Sequence, residues 1–203
     1  MKTAIIDYGM GNLGSVSRAF EECGASVTVA VTPEELSGAD RIVLPGVGAF
    51  SKGMENLSAG GWIPEIRRLA LEEKTPILGI CLGMQLMASV GKEGGETAGL
   101  NLLSGLVDRL KPTNRDRRIP HVGWNEVEFV SDHPLFAKIP SGTDFYYVHS
   151  YHFIPGETSF TARTPYCGGF VAAIAKENMM GVQFHPEKSS KAGFQLIRNF
   201  LEI

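Results

Sequence analysis

The first half of this chain alternates short apolar runs with stretches of helical periodicity, and this alternation limits its possible folds more than any other feature. The apolar runs cover residues 3–8, 26–31, 41–44 and 76–80, and the helical stretches cover 12–23, part of 51–73, and 84–90. Strands separated by helices form a parallel sheet, because each crossover must return the chain to the same end of the sheet. We therefore expect an α/β fold with helices on a mostly parallel central sheet.

After about residue 106 the pattern changes to extended segments rich in aromatic and β-branched residues. These segments cover residues 124–130, 144–153, 160–163, 170–175 and 180–184, and a last amphipathic helix covers 190–201. Successive strands without helices between them predict an antiparallel addition to the parallel core. With 203 residues, 43% of them hydrophobic and 20% charged, the chain has the composition of one globular domain over residues 1–203.

Charge and cysteine content disfavour several function classes. Lys plus Arg number 19 and Asp plus Glu number 22, so the net charge of −3 indicates no general affinity for nucleic acid or anionic membranes. The three cysteines are odd in number and lack C-x-x-C spacing, which disfavours a disulfide framework and a zinc ribbon. No run approaches the roughly 20 apolar residues of a membrane span. We expect a cytoplasmic protein.

The G-I-C-L-G segment at residues 79–83 marks Cys81 as a candidate nucleophile. It lies between a predicted strand and a predicted helix, as in the G-x-S-x-G turn that exposes a catalytic serine. Backbone N–H groups and the positive end of the helix dipole favour thiolate over thiol at such a position. The N–H of Leu82, the next residue, points where an oxyanion would form. A buried, inert cysteine is the alternative that this position disfavours.

The triplet His185-Pro186-Glu187 supplies a candidate base and its orienting carboxylate. It follows a predicted strand, and residues two apart on extended chain share a face, so Glu187 can accept the ring N–H of His185. The other ring nitrogen is then available to the Cys81 sulfur. The three side chains together predict a Cys-His-Glu triad for acyl transfer.

Two glycine-rich turns follow strands and suggest different roles. The segment L-P-G-V-G-A-F at residues 44–50 ends the third strand, and Val47 is the best candidate there for a second oxyanion N–H. The segment G-M-G-N-L-G at residues 9–14 matches the dinucleotide fingerprint G-x-G-x-x-G. That fingerprint also needs an acid at the end of the second strand, where this chain has Thr32-Pro33. We expect no dinucleotide or other cofactor.

The remaining polar clusters give weaker signals. His149 and His152 lie on opposite faces of a predicted strand, so a metal site formed by this pair is not expected. A basic run indicates a solvated loop more often than an anion-binding patch. Its members are Lys111, Arg115, Arg117 and Arg118.

Taken together, these motifs resemble the class I, triad-type glutamine amidotransferase family over essentially the whole chain. The resemblance is carried by the P-G-x-G loop at residues 45–48, G-I-C-L-G-M-Q at 79–85 and G-V-Q-F-H-P-E at 181–187. Within the family, residues 6–13, H-V-G-W-N at 121–125 and E-K-S at 187–189 are similar to the branch that serves histidine biosynthesis. Anthranilate-type relatives, the alternative branch, usually carry a second proline where this chain has Val47.

The resemblance implies a flavodoxin-like fold and a glutaminase reaction. Cys81 would attack the side-chain amide of glutamine, ammonia would leave, and water would hydrolyse the thioester, with His185 as base and then acid. The resemblance also implies that the amides of Val47 and Leu82 stabilise the oxyanion. The residues that it implies for glutamine binding are Gly48, Gln85, His149, Ser150 and Tyr151.

Members of this family work with a synthase, so the resemblance implies a (β/α)8 cyclase partner that receives the ammonia through an internal path. The expected interface includes Gly9, Asn12, Trp124, Tyr146 and Lys188. We expect low glutaminase activity of the chain alone and stimulation by the partner. Two alternatives stay open: a free-standing cysteine hydrolase with the same nucleophile turn, and an inactive scaffold subunit, which the complete triad disfavours.

Overall fold

The alternating first half of the chain forms the predicted strands and helices. A computed structural model describes residues 1–116, 118–156 and 160–203. The first-half elements are β1 Lys2–Ile6, α1 Leu13–Glu22, β2 Ser26–Ala30, β3 Arg41–Leu44, α2 Phe50–Ala59, α3 Trp62–Arg67, β4 Ile77–Ile80 and α4 Leu82–Leu86.

The second half is built mainly from strands and ends in a helix. Its elements are β5 Val90–Gly91, β6 Thr97–Ala98, β7 Gly105–Arg109, β8 His121–Val127, β9 Thr143–His149, β10 Tyr151–Pro155, β11 Phe160–Thr164, β12 Phe170–Lys176, β13 Met179–Val182 and α5 Ser190–Glu202. The predicted change from alternating elements to successive strands is confirmed.

The main sheet is parallel at its centre. Within the described residues its strand order is β11-β12-β13-β4-β3-β1-β2. The strands from β13 to β2 run parallel, while β11 and β12 add antiparallel at one edge. Counted in chain order, the parallel strands follow the order 2-1-3-4-5, which is the flavodoxin-like arrangement. The predicted fold class is confirmed. Because β1, β3, β4 and β13 are parallel, their carboxyl ends lie side by side at the same end of the strands.

Several predicted element boundaries were wrong: β8 covers His121–Val127 rather than residues 124–130, and two other differences shape the candidate site. The single strand predicted over residues 144–153 is two strands, because the chain breaks at Ser150 and β9 pairs with β8 whereas β10 pairs with β7. The helix predicted over 84–90 ends at Leu86, where loop N–H groups take the carbonyls that a longer helix would use: Leu100 N–H donates to Leu86 O at 2.8 Å. Both breaks place irregular backbone beside the end of β4.

Hydrophobic cores cover both faces of the main sheet. Alternation along β1 sends Ile5 to the core that contains Phe20 of α1 and Phe200 of α5, and sends Ile6 to the core that contains Phe50 of α2. Because both faces are buried, polar groups that belong to the parallel strands collect where those strands end. None of the helices in the described ranges is long and apolar enough to cross a membrane.

Candidate active site

Cys81 occupies the sharp turn between β4 and α4. Its φ of 55° lies in the left-handed region, which a non-glycine residue adopts only under strain. The turn also needs glycine at Gly83, because a Cβ there would lie 1.7 Å from the backbone oxygen of Leu44. A Cβ at Gly79 would lie 2.7 Å from the backbone nitrogen of Met84. Nearby backbone atoms therefore leave no room for a side chain at either of the glycines predicted on steric grounds.

His185 and Glu187 form a buried pair beside this turn. β13 pairs with β4 in register Val182↔Ile80, so the two chains leave the sheet side by side. The Nδ1 of His185 donates to the Oε1 of Glu187 at 2.8 Å. Burial lowers the pKa of His185, but interaction with the Cys81 sulfur and then with the Glu187 carboxylate outweighs it and raises the pKa to about 10. The pair therefore favours an imidazolium beside Cys81, and its Nε2 makes no hydrogen bond to a described residue in this conformation.

A cavity of about 220 Å³ lies next to Cys81. It is smaller than the roughly 300–1,000 Å³ sites of drug-sized ligands, which suits a molecule the size of an amino acid. The lining residues are Val47, Gly48, Cys81, Leu82, Gln85, Glu93, Val148, His149, Ser150 and Tyr151. The structure thus gathers in one place all the residues named from the sequence for the oxyanion and for glutamine, while their roles stay predictions.

Two buried glutamines tie the cavity wall to the nucleophile. The Nε2 of Gln85 donates to the Tyr151 carbonyl at 2.8 Å and to the Oε1 of Gln183 at 3.0 Å. Gln183 in turn directs its Nε2 to the Cys81 sulfur at 3.7 Å. The sequence reasoning assigned Gln183 no role, although a polar residue in an apolar strand two positions before His185 was a usable signal.

Glu93 is a second functional candidate that the sequence reasoning missed. Its Oε2 accepts the N–H of Phe50, the first residue of α2, at 2.8 Å, and its side chain lines the cavity. Among the described lining residues it is the only one with a carboxyl side chain. It comes from a glycine-rich turn after β5, where no sequence pattern distinguishes it.

The candidate oxyanion amide of Leu82 is engaged in this conformation. Its N–H donates to the carbonyl oxygen of Gly46 at 3.3 Å. The adjacent Val47 is 42% exposed. An oxyanion can use the Leu82 amide only if the Gly46 carbonyl moves away.

His149 is neutral in the cavity wall because it is buried, and its hydrogen-bond partners fix its tautomer. Its Nδ1 donates to the Tyr151 carbonyl at 2.9 Å, which leaves Nε2 to accept from the Nδ1 of His121 at 3.1 Å. Burial lowers the pKa of His149 to about 3 and that of His121 to about 4. Within the described ranges no group of three or more His, Cys, Asp or Glu residues is placed to hold a metal ion.

The residues predicted for the partner interface fall into two places. Trp124 and Tyr146 are paired across β8 and β9 with ring centroids 6.0 Å apart, and the Nζ of Lys188 lies 5.9 Å from the Tyr146 ring. Gly9 and Asn12 lie after β1, where Asn12 caps α1 by accepting the Ser15 N–H at 3.3 Å. Arg117, a member of the predicted basic run, lies outside the described residues.

Comparison with known proteins gives consistent results. The sequence matches the family model "Glutamine amidotransferase class-I" over residues 4–203. It is 49% identical to imidazole glycerol phosphate synthase subunit HisH of Moorella thermoacetica, over 98% of this chain and 94% of that protein. It is 42% identical to subunit HisH 1 of the same synthase in Campylobacter jejuni strain RM1221, over 98% and 99% of the two chains. A crystal structure of a glutamine amidotransferase superposes with a TM-score of 0.76 at 19% identity, covering 98% of this chain and 97% of that one, which shows the fold alone.

Proposed function

This chain belongs to the class-I glutamine amidotransferase family, and we propose that it is the glutaminase subunit of an imidazole glycerol phosphate synthase. It hydrolyses glutamine to glutamate and ammonia, and the ammonia is used by a cyclase subunit in histidine biosynthesis. The observation that carries the proposal is the His185–Glu187 pair beside Cys81, in a chain 49% identical to a HisH subunit. The chain acts as one domain over residues 1–203, in the cytoplasm and without a cofactor.

The triad accounts for both halves of the reaction. The Cys81 thiolate attacks the side-chain amide carbon of glutamine, and protonated His185 gives its proton to the leaving ammonia. The resulting γ-glutamyl thioester is attacked by water, from which neutral His185 now takes a proton. Glu187 holds the imidazole in the tautomer that presents Nε2 to the reaction and stabilises the imidazolium.

Charge that develops on the amide oxygen is stabilised by the backbone N–H groups of Val47 and Leu82. For this, the Gly46 carbonyl must release the Leu82 N–H that it now accepts. Losing one oxyanion donor typically lowers the rate by about 10²–10³. Because the Gly46 carbonyl occupies the Leu82 N–H in this conformation, we expect low activity of the chain alone.

The cavity suits glutamine by charge as well as by size. Glu93 offers a carboxylate to the α-ammonium group, while Gly48, Ser150 and Tyr151 line the cavity beside it. Gln85 and His149 support this wall, because both donate to the Tyr151 carbonyl. A carboxylate in the cavity lining favours a ligand with a cationic group.

The partner docks on the exposed face of the β8–β9 pair. Val122, Trp124 and Val148 on this face are 57%, 52% and 37% exposed, although all three are large and apolar. The face is adjacent to the triad, because the backbone N–H of His185 donates to the Tyr146 carbonyl at 2.9 Å. A (β/α)8 cyclase that covers this face with Lys188, and that also contacts the separate turn with Gly9 and Asn12, receives ammonia before bulk water protonates it.

The test is a glutamine-hydrolysis assay of wild type and Cys81→Ala, each alone and with a cyclase subunit of an imidazole glycerol phosphate synthase. Wild type should be slow alone and at least about tenfold faster with the cyclase and its nucleotide-derived ligand. Cys81→Ala should lose about 10⁴-fold or more in both states, since it removes the nucleophile. Cys23→Ala, a cysteine in another part of the fold, should behave as wild type.

Three results would contradict the proposal. Glutamine turnover that survives in Cys81→Ala would exclude the nucleophile. Equal turnover with and without the cyclase would exclude the partner. Peptide hydrolysis in the absence of glutamine hydrolysis would favour the free-standing cysteine hydrolase.

A further inference from the structure

The Tyr8 hydroxyl is a buried polar group that the proposed mechanism does not use. Tyr8 is 5% exposed, and its hydroxyl has no hydrogen-bond partner among the described residues. The residue is nevertheless held in place, because the Nδ2 of Asn56 in α2 donates to its backbone carbonyl at 3.0 Å. A buried hydroxyl without a partner is unfavourable, so a partner in another conformation of the protein is to be expected.

The hydroxyl lies directly against the loop that carries the candidate oxyanion donor Val47. A Cβ built on Gly46 would be 2.3 Å from the Tyr8 hydroxyl oxygen and 3.0 Å from the Cβ of Leu82. Gly46 is therefore enclosed between Tyr8 and the nucleophile turn, and a side chain there would collide with both. Burial, with a smaller contribution from the Cys81 charge, raises the pKa of Tyr8 well above its usual range, so the phenol stays a neutral donor.

The Gly46 carbonyl and the Tyr8 hydroxyl are complementary hydrogen-bonding groups. Once the Gly46 carbonyl leaves the Leu82 N–H, it becomes a buried acceptor that lacks a donor. The Tyr8 hydroxyl is a buried donor that lacks an acceptor, in contact with the same residue. A hydrogen bond between them would satisfy both groups in a single rearrangement.

We propose that Tyr8 is a positioning residue of the oxyanion loop, whose O–H donates to the Gly46 carbonyl when that carbonyl releases the Leu82 N–H. The inference rests on the proposed glutaminase function and names the group that stabilises its active loop conformation. Tyr8 touches neither substrate nor reacting atoms. It acts by setting how often the Leu82 and Val47 amides are open to the oxyanion.

Removal of the hydroxyl should lower activity without lowering stability. Tyr8→Phe keeps the ring and removes the donor of the open loop, so kcat for glutamine with the cyclase bound should fall about fivefold, the equivalent of one net hydrogen bond. KM for glutamine should stay unchanged, because the cavity wall is untouched. The Tm of the free chain should stay the same or rise, because the hydroxyl has no partner in the described conformation.

The control is Tyr166→Phe, which also removes one tyrosine hydroxyl but one that donates to the Arg118 carbonyl at 2.7 Å, outside the cavity. It should leave kcat unchanged. A Tyr8→Phe kcat equal to that of wild type overturns the inference, and so does a Tm that falls by several degrees together with kcat, which would indicate a structural role. If wild type itself fails to hydrolyse glutamine, the proposed function fails instead.

Discussion

The protonation state of His185 sets the charge of the His185–Glu187 pair, and it can be measured directly. Its pKa of about 10 in the folded chain exceeds the ordinary value of 6.5. Protonation therefore stabilises the fold, fully below pH 6.5 and less and less as the pH rises towards 10. We expect NMR of the ¹⁵N-labelled ring to show a proton on both nitrogens of His185 through neutral pH.

The Cys81→Ala variant and a second histidine, His133, serve as controls for this titration. In Cys81→Ala the group that most raises the pKa of His185 is gone, so the ring should lose its proton at lower pH than in wild type. His133, whose pKa burial lowers, should titrate below its ordinary value in both proteins. A wild-type His185 that loses its proton near pH 6.5 would contradict the proposed pairing with Cys81.

From the sequence alone we predicted those candidate-site residues that carry a local pattern. Cys81 lies between two glycines after an apolar run, and His185 and Glu187 are two apart after a strand, so backbone geometry fixes their relation. Glu93 reaches the cavity only through the arrangement of separate elements, whereas Gln183, which contacts the Cys81 sulfur, was at least marked as a polar residue in an apolar run. The hydrogen bond from Leu82 to Gly46 was likewise unpredictable, because it depends on the rotation of one loop peptide.

At the scale of elements, the β4–α4 turn has no room for a side chain at Gly83. Gly83→Ala would place a methyl group 1.7 Å from the Leu44 backbone oxygen, and neither backbone can move without disturbing β3 or α4. We expect the free energy of unfolding to fall by about 3 kcal/mol or more in urea titrations.

The matched substitution is Gly14→Ala in α1, where a Cβ meets nothing within 4 Å. It should raise the free energy of unfolding by about 0.5–1 kcal/mol, because alanine favours helix and restricts the unfolded chain. Similar effects of the two substitutions would mean that the nucleophile turn tolerates a side chain, against the steric argument.

Element types were more predictable than element ends. Both faces of β1, β3, β4 and β13 are buried, so apolar runs identify these strands, whereas β2 at the edge of the sheet is mostly exposed. The break at Ser150 is invisible in the sequence because residues on both sides are extended and apolar or aromatic. Only pairing with two different sheets separates β9 from β10, and this separation creates the cavity wall at His149 and Tyr151.

At the scale of the whole molecule, the apolar face of β8 and β9 should decide whether the chain works as part of a complex. Trp124→Asp places a charge at the centre of this face and should weaken binding to the cyclase by about tenfold or more in analytical ultracentrifugation, because a buried unpaired charge is strongly unfavourable. The stimulated glutaminase activity should fall with it at fixed cyclase concentration and recover at higher concentration. Val130→Asp adds the same charge at a fully exposed apolar residue beyond the end of β8 and should change neither quantity. If both variants bind alike, the cyclase docks elsewhere; if Trp124→Asp binds normally but loses stimulation, this face transmits the activating signal without holding the partner.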